Sequence, residues 1–455
     1  MASPHLHFPD FFSLLQRGLP DRFARTPRKI TPAQLMGVLC VMTGFGRKGY
    51  RRVVAELQSG LGRAFGWFDQ DSIPSAQALC QARQALSRGV CDEAFAGVYR
   101  GCTQLMAAPV ASYGGLRLLG MDGTRLSLPP TPELVTHFGC PSNHHGSAEG
   151  PMAGLVQIWD VGRNCPVAFE LTTCDFNERE TSERLFQHLG PTDLLIGDRG
   201  YPSYDWFRAL CRRRARFLIR CPIQAGTVYG DFAASGQDET VILLTKRDHR
   251  QRRIPGTPAI PMRLLRITLP SGAVEVLATN LWQPRGHDRE TLGRLYTQRW
   301  RIETTFREMK VYHALEHFSA TYPDGIYQEI VAIQIFLMLT SELEALARTV
   351  HAQAEPTLPT SPPSPSPSPS PPSTNLRPPP PSTLIIREVR FNRLLIADNV
   401  IHLLRAAATG GADEVARRLP RILTNLWKNR SYVKPGRIFP RHRKRALGRF
   451  RNTRP

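Results

Sequence analysis

From about residue 30 to residue 110 the apolar positions fall three and four apart. "PAQLMGVLCVM", "YRRVVAELQSGL" and "SAQALCQARQAL" each gather them on one helical face. Thr31 before Pro32 predicts where the first helix starts, with a capping hydroxyl followed by a proline at the first helical position. Near residue 116 the period shortens to two. "LRLLGMDGTRLSLP" alternates, and Asp122-Gly123 at its centre predicts the turn of a two-stranded hairpin. Strands are expected again at "GLVQIWDV" and "PVAFELTT". A helix over "ERETSERLFQHL", the strand "DLLIG", a second helix over "SYDWFRALCRRR" and the strand "RFLIR" follow. Hairpin strands followed by strand-helix alternation predict a mixed sheet flanked by helices, an α/β fold.

Residues 222–282 interrupt that alternation with polar strands ("TVILLT", "RLLRITLP", "VEVLATNLW") and a basic loop, "KRDHRQRR". They are expected to be a β insertion. A helix from about His287 to His313 comes next and an apolar helix near 326–348 follows it, whose most apolar run, Ile330 to Leu339, is too short to span a bilayer and predicts burial. Residues 355–382 are almost entirely Pro, Ser and Thr, which predicts a semi-rigid linker. The expected organisation is a helical region at 1–110, an α/β region at 111–350, the linker, and a C-terminal helical and basic region at 383–455.

Charge changes the picture more than composition does. The 455 residues carry a formal net charge of +21. An excess of this size favours polyanionic partners. Because the basic residues lie on several segments instead of in one juxtamembrane cluster, nucleic acid is expected ahead of a membrane surface. The nine cysteines form no CxxC pair and no zinc-finger spacing, as expected of thiols in a reducing cytoplasm. The N-terminal "MASPHLHFPDFF" has neither the basic nor the apolar region of a signal peptide.

The candidate chemistry centres on "YTQRWRIETTFREMK". On one continuous helix Tyr296, Arg299, Glu303 and Lys310 fall within an arc of roughly 60°. Leu295, Ile302, Phe306 and Met309 fill the neighbouring arc and would seat the helix on a core. Such a stripe suits a helix that lines a cleft, although a surface helix with i, i+4 ion pairs gives the same pattern. Two further carboxylates stand at or near strand ends, Asp122 and Asp198, and either could equally be a turn residue. Taken with Glu303 they form a set suited to hard divalent cations, which prefer oxygen ligands. In the N-terminal helices Gln77, Gln81 and Arg83 are side chains of the kind that read base edges, or else members of a solvated face. His144 and His145 in "SNHHGSAEG" are adjacent and lack a third ligand nearby, so a loop is expected there.

The spacing Tyr296-x2-Arg299-x3-Glu303-x6-Lys310, with Trp300 in "TQRWRIE", resembles the YREK signature of the bacterial insertion-sequence-four family of DDE transposases. "MDGTRLSLP" and "IGDRGY" resemble the surroundings of that family's first and second catalytic aspartates, and "SAQALCQARQAL" its N-terminal DNA-binding helices. The resemblance implies an RNase H-like catalytic core. In it Asp122, Asp198 and Glu303 would be catalytic and would bind two Mg²⁺ ions, for which Mn²⁺ can substitute. It also implies that Tyr296, Arg299, Lys310 and Trp300 contact DNA. The implied partners are the terminal inverted repeats, target DNA and a second copy of the chain on DNA, in the cytoplasm at the nucleoid. Trp282 and Trp300 are the nearby aromatics that could hold a flipped base. An RNase H-like nuclease without strand transfer, or a non-catalytic DNA-binding derivative, remain the alternatives.

Overall fold

In a computed structural model of the chain the described residues are 30–44, 49–61, 73–105, 112–143, 146–147, 150–247, 252–269, 271–282, 287–352 and 389–432. His144, His145, the centre of the basic loop, the Pro/Ser stretch and the two chain ends lie outside them. The N-terminal region is helical as expected: α1 (Pro32–Gly44), α2 (Tyr50–Glu56), α3 (Ala76–Gln84) and α4 (Arg88–Leu105). The Thr31 hydroxyl accepts from the Gln34 amide at 3.2 Å, and the Gln34 side chain accepts from the Thr31 amide at 2.7 Å. These reciprocal bonds satisfy donors that the first turn leaves open.

The strand reading needs one correction. "LRLLGMDGTRLS" is a single twelve-residue strand, β1 (Leu116–Ser127), not a hairpin. The buried strand β2 (Met152–Asp160) pairs with it antiparallel without a break from Leu119↔Asp160 to Ser127↔Met152. This ladder occupies the backbone groups that a turn at Asp122-Gly123 would have released, so tertiary pairing overrides the local turn preference.

β3 (Cys165–Thr172) pairs antiparallel with β2, while β4 (Asp193–Gly197) and β5 (Arg216–Cys221) run parallel to β1. The short helix α5 (Pro132–Phe138) follows β1, and the crossovers contain α6 (Glu178–Arg184) and α7 (Tyr204–Arg212). The order β3-β2-β1-β4-β5, with β2 alone antiparallel to the others, is that of an RNase H-like core. The insertion extends the same sheet. β6 (Glu239–Leu244), β7 (Ile260–Thr268) and β8 (Val274–Thr279) add antiparallel at the β5 edge, giving β3-β2-β1-β4-β5-β8-β7-β6. α8 (Val228–Ala234) precedes these three strands.

Side-chain alternation sends Leu119 and Met121 of β1 into a core with Trp206, Phe207 and Leu210 of α7. Leu118 lies on the opposite face with Leu292 and Tyr296 of α9 (Arg289–Tyr296). Leu126 is on that second face with Ile302, Phe306 and Met309 of α10 (Trp300–Val311).

α11 (Pro323–Ala352) explains the apolar run. It is 30 residues long, a few residues more at each end than the helix expected near 326–348, and Pro323–Val350 is long and apolar enough to cross a membrane by length and composition. Its most apolar window is 89% buried inside the protein. Ile330, Ile333 and Leu337 face the sheet, while Val331, Ile335, Phe336 and Leu339 face a helical core. A helix covered on both sides must be apolar nearly all round. The helical core joins α1, α3 and α4 to α11 and to α12 (Arg393–Lys428). Arg393 at the start of α12 binds Glu344 of α11 at 2.8 Å and approaches Glu308 of α10 at 3.5 Å.

Candidate active site

The β1–β4 ladder runs from Arg117↔Asp193 to Gly120↔Ile196, an offset of 76. Carried two residues on, that offset (198 − 122 = 76) sets Asp122 opposite Asp198, just beyond the paired end. Asp198 directly follows the last residue of β4. Asp198 therefore lies at the carboxyl end of β4, and Asp122 lies mid-strand in β1 just past the end of their parallel pairing, beside the crevice an open α/β sheet forms at its strand ends. By alternation Asp122 shares a face with Leu118 and Gly120. A β-carbon on Gly120 would lie 3.6 Å from Ile302, so α10 sits on this face, and Glu303 is its next residue.

The helix that carries Glu303 is not continuous. α9 ends at Tyr296, residues Thr297–Arg299 form a 3-10 turn, and α10 begins at Trp300. The tighter winding changes the expected stripe. Tyr296 and Arg299 are turned inward, with Arg299 only 4% exposed, while Trp300 stands 50% exposed. Arg299 Nη1 binds Glu303 Oε1 at 2.5 Å and comes within 3.9 Å of Asp198. Its guanidinium stacks over the rings of Trp300 and Tyr296. Lys310 lies two turns beyond Glu303, where it donates to the Arg125 carbonyl of β1 at 2.6 Å and reaches Glu316 at 3.4 Å. Thus Asp122, Asp198, Glu303, Tyr296 and Arg299 come together, and Lys310 marks the far rim beside β1.

The family model for the transposase DDE domain matches residues 114–339, the segment holding this whole arrangement. This segment belongs with the transposase DDE domains. Transposase InsG for insertion sequence element IS4 of Escherichia coli (strain K12) is 28% identical over 238 residues, covering 51% of this chain and 52% of that protein. Putative transposase y4zB of Sinorhizobium fredii (strain NBRC 101917 / NGR234) is 26% identical over 188 residues, covering 39% of this chain and 49% of that protein. The chain therefore matches about half the length of these curated relatives. Among solved structures, the piggyBac transposase in a cryo-EM synaptic complex with hairpin DNA aligns at 10% identity and a TM-score of 0.42. That alignment covers 96% of this chain and 87% of the other.

The electrostatics of this cluster show what it lacks. Burial, then the charges of Glu178 and Glu303, push the Asp122 carboxyl up to about 7, although the Gly123 amide donates to it at 3.0 Å. Asp198 accepts from the Arg199 amide at 2.7 Å and pairs with Arg220 at 2.9 Å. Among the described residues no three His, Cys, Asp or Glu side chains stand close enough to cage an ion, because Arg299 lies between Asp198 and Glu303. The donor set nevertheless fits a divalent cation. It is all oxygen, crowds Asp122 with the negative charges of Glu178 and Glu303, and already draws a cation into its centre.

Three buried polar atoms at the same place have no partner: the Tyr296 hydroxyl, Arg299 Nε and Arg220 Nε. All three can donate, and a phosphate oxygen is the kind of acceptor they lack. Burial pushes the Tyr296 hydroxyl up, and its charged neighbours are Arg299, Asp198, Arg220 and Glu275.

Sequence reasoning missed Arg220 and Glu178. Arg220 ends "RFLIR", and its position at the carboxyl end of a strand parallel to β1 was the available signal. Arg83 requires correction as a DNA contact. It is 1% exposed and is held by Glu329 and Gly325 at 2.6 Å, Tyr50 at 2.7 Å and Gln328 at 2.9 Å. Its guanidinium is spent joining α3 to α11. Gln77 and Gln81 lie on the exposed face of α3, away from that network.

Proposed function

We propose that the protein is a transposase of an insertion sequence, which binds the ends of its element, cleaves DNA and joins the cleaved end to target DNA. The observation that carries this reading is the meeting of Asp122, Asp198 and Glu303 at the crevice beyond the β1–β4 pairing, beside buried donors without partners. Asp122, Asp198 and Glu303 are the proposed catalytic carboxylates and the ligands of two Mg²⁺ ions. When bound, such ions supply charge stabilisation for both the attacking and the leaving oxygen of a phosphodiester displacement.

The chain's own residues divide the remaining work. Arg299, whose buried Nε has no partner, would pair with a phosphate alongside Tyr296 and Arg220. Lys310 holds the backbone further along, and exposed Trp300 offers a ring to a base. In cleavage the oxygen of water forms a bond to phosphorus as the bond to the 3′ oxygen breaks, and a proton from that water ends on the departing oxygen, leaving a 5′ phosphate and a 3′ hydroxyl. In joining, that 3′ hydroxyl takes the place of water. Gln77 and Gln81 are proposed as contacts to the element's end. Synapsis of two ends calls for two copies of the chain, acting at the nucleoid.

The test is incubation of the full chain with Mg²⁺ and DNA carrying the inverted repeats that flank its gene. Cleaved and joined products are expected. Cleavage without joining would instead favour a nuclease. Asp122→Asn, Asp198→Asn and Glu303→Gln should each lower cleavage by about a thousandfold or more, the scale on which losing a central electrostatic group acts. A Glu303→Gln variant that cut like wild type would remove the assignment.

A further inference from the structure

Glu178 opens α6, the helix layer on the opposite side of the sheet from α10, yet it is the first carboxylate whose charge bears on Asp122. The reason is Gly123. A β-carbon at this position would stand 2.7 Å from Glu178 Cδ and 2.9 Å from Oε1, so the carboxylate fills the space that any other residue would occupy. A glycine inside a strand gives up side-chain packing and often marks a close approach. Here it leaves a gap on the α6 face of β1, into which an acid from the far layer reaches, meeting the residue next to Asp122.

That acid is held in place. Buried Tyr201 donates its hydroxyl to Glu178 Oε1, and Arg179 donates to the Gly200 carbonyl at 3.0 Å. Gly200 and Tyr201 belong to the loop that begins at Asp198. The first turn of α6 is thus fastened to the loop of one proposed catalytic aspartate and laid against the residue following the other. An acid needed only for capping would not require a glycine beneath it, and Asn177 already caps α6 through the Arg179 and Glu180 amides.

We infer that Glu178 is a fourth carboxylate of the centre, reaching it through the gap at Gly123 and helping to hold the divalent cation, with Tyr201 fixing its orientation. This rests on the reading of Asp122, Asp198 and Glu303 as the metal-binding set.

The test measures Mn²⁺ binding to the full chain by calorimetry without DNA, and then the Mg²⁺ concentration for half-maximal cleavage of end DNA. Glu178→Gln keeps size and an acceptor for Tyr201 but removes the charge. It should weaken Mn²⁺ binding about tenfold and raise the Mg²⁺ requirement to match. Gly123→Ala, which pushes the Glu178 carboxylate away, should do the same, and Tyr201→Phe should shift both in the same direction by less. A loss below about threefold in Glu178→Gln overturns the inference, whatever the behaviour of the other two variants. Asp122→Asn in parallel separates the two readings. If it loses Mn²⁺ while Glu178→Gln keeps it, only the role of Glu178 fails. If Asp122→Asn keeps Mn²⁺ as well, the metal-binding set itself is wrong.

Discussion

At the scale of single residues the site is set by protons and by missing partners. Asp122, pushed up to about 7 by burial and by the Glu178 and Glu303 charges, keeps its proton in the metal-free protein below neutrality. A cation must displace that proton. Metal affinity should therefore fall about tenfold per pH unit as the pH drops below 7 and level off above it. Mn²⁺ titrations at pH 6 and pH 8 check this, and the dependence should flatten in Asp122→Asn. The Tyr296 hydroxyl gives a second prediction, since it is buried without a partner. An unpaired buried hydroxyl costs about 1–3 kcal/mol. Tyr296→Phe should thus leave the free protein's melting temperature unchanged or raised while weakening end-DNA binding several-fold, as a gel-shift titration would report.

At the scale of elements, the 3-10 turn between α9 and α10 is decisive. A continuous α-helix would have left Tyr296 and Arg299 beside the buried face. The tighter turn sends both inward to Asp198 and leaves Trp300 outside. The N-terminal helices are fastened to α11 by Arg83 and Glu329, both buried. Removing one partner of such a pair strands a charge in the interior and costs about 3–5 kcal/mol. Arg83→Ala should lower unfolding stability on that scale, measured by chemical denaturation. At the start of α12, burial opposes the charge on Glu344, but Arg393 and Arg348 outweigh it and hold the carboxyl at about 2. Because the folded value is depressed, the stabilisation is present above the ordinary carboxylate range and disappears as the pH falls toward 2. Arg393→Met should reduce stability at pH 7 and narrow its difference from wild type as the solution is acidified.

At the scale of the whole molecule, α11 ties the layers together. One side of it covers the sheet, and the other is the floor of a core shared by α1, α3, α4 and α12. A chain ending at residue 352 would expose the α11 and α12 contact, including Phe336, Leu339 and Leu343. Such a truncation should give an aggregating or molten product instead of a separable catalytic unit, as judged by size-exclusion chromatography and loss of a cooperative melt. The net charge of +21 acts over the same scale. DNA affinity should fall steeply and linearly with the logarithm of salt concentration, and Lys310→Ala should reduce that slope by about one phosphate contact.

Much of this was legible in the chain itself. Periodicities of two and three to four gave the α/β class and most elements, because burial on one face writes itself into sequence. The spacing from Tyr296 to Lys310, with Asp122 and Asp198, gave the candidate carboxylates, because their chemistry requires particular side chains. What sequence could not reach was decided by pairing and packing between distant segments. Only the ladder with β2 kept Asp122-Gly123 extended, and only α11 revealed Arg83 as an internal tie. The 3-10 turn that buries Arg299, and the gap at Gly123 that admits Glu178, depend on contacts between separate layers, which local propensity does not encode.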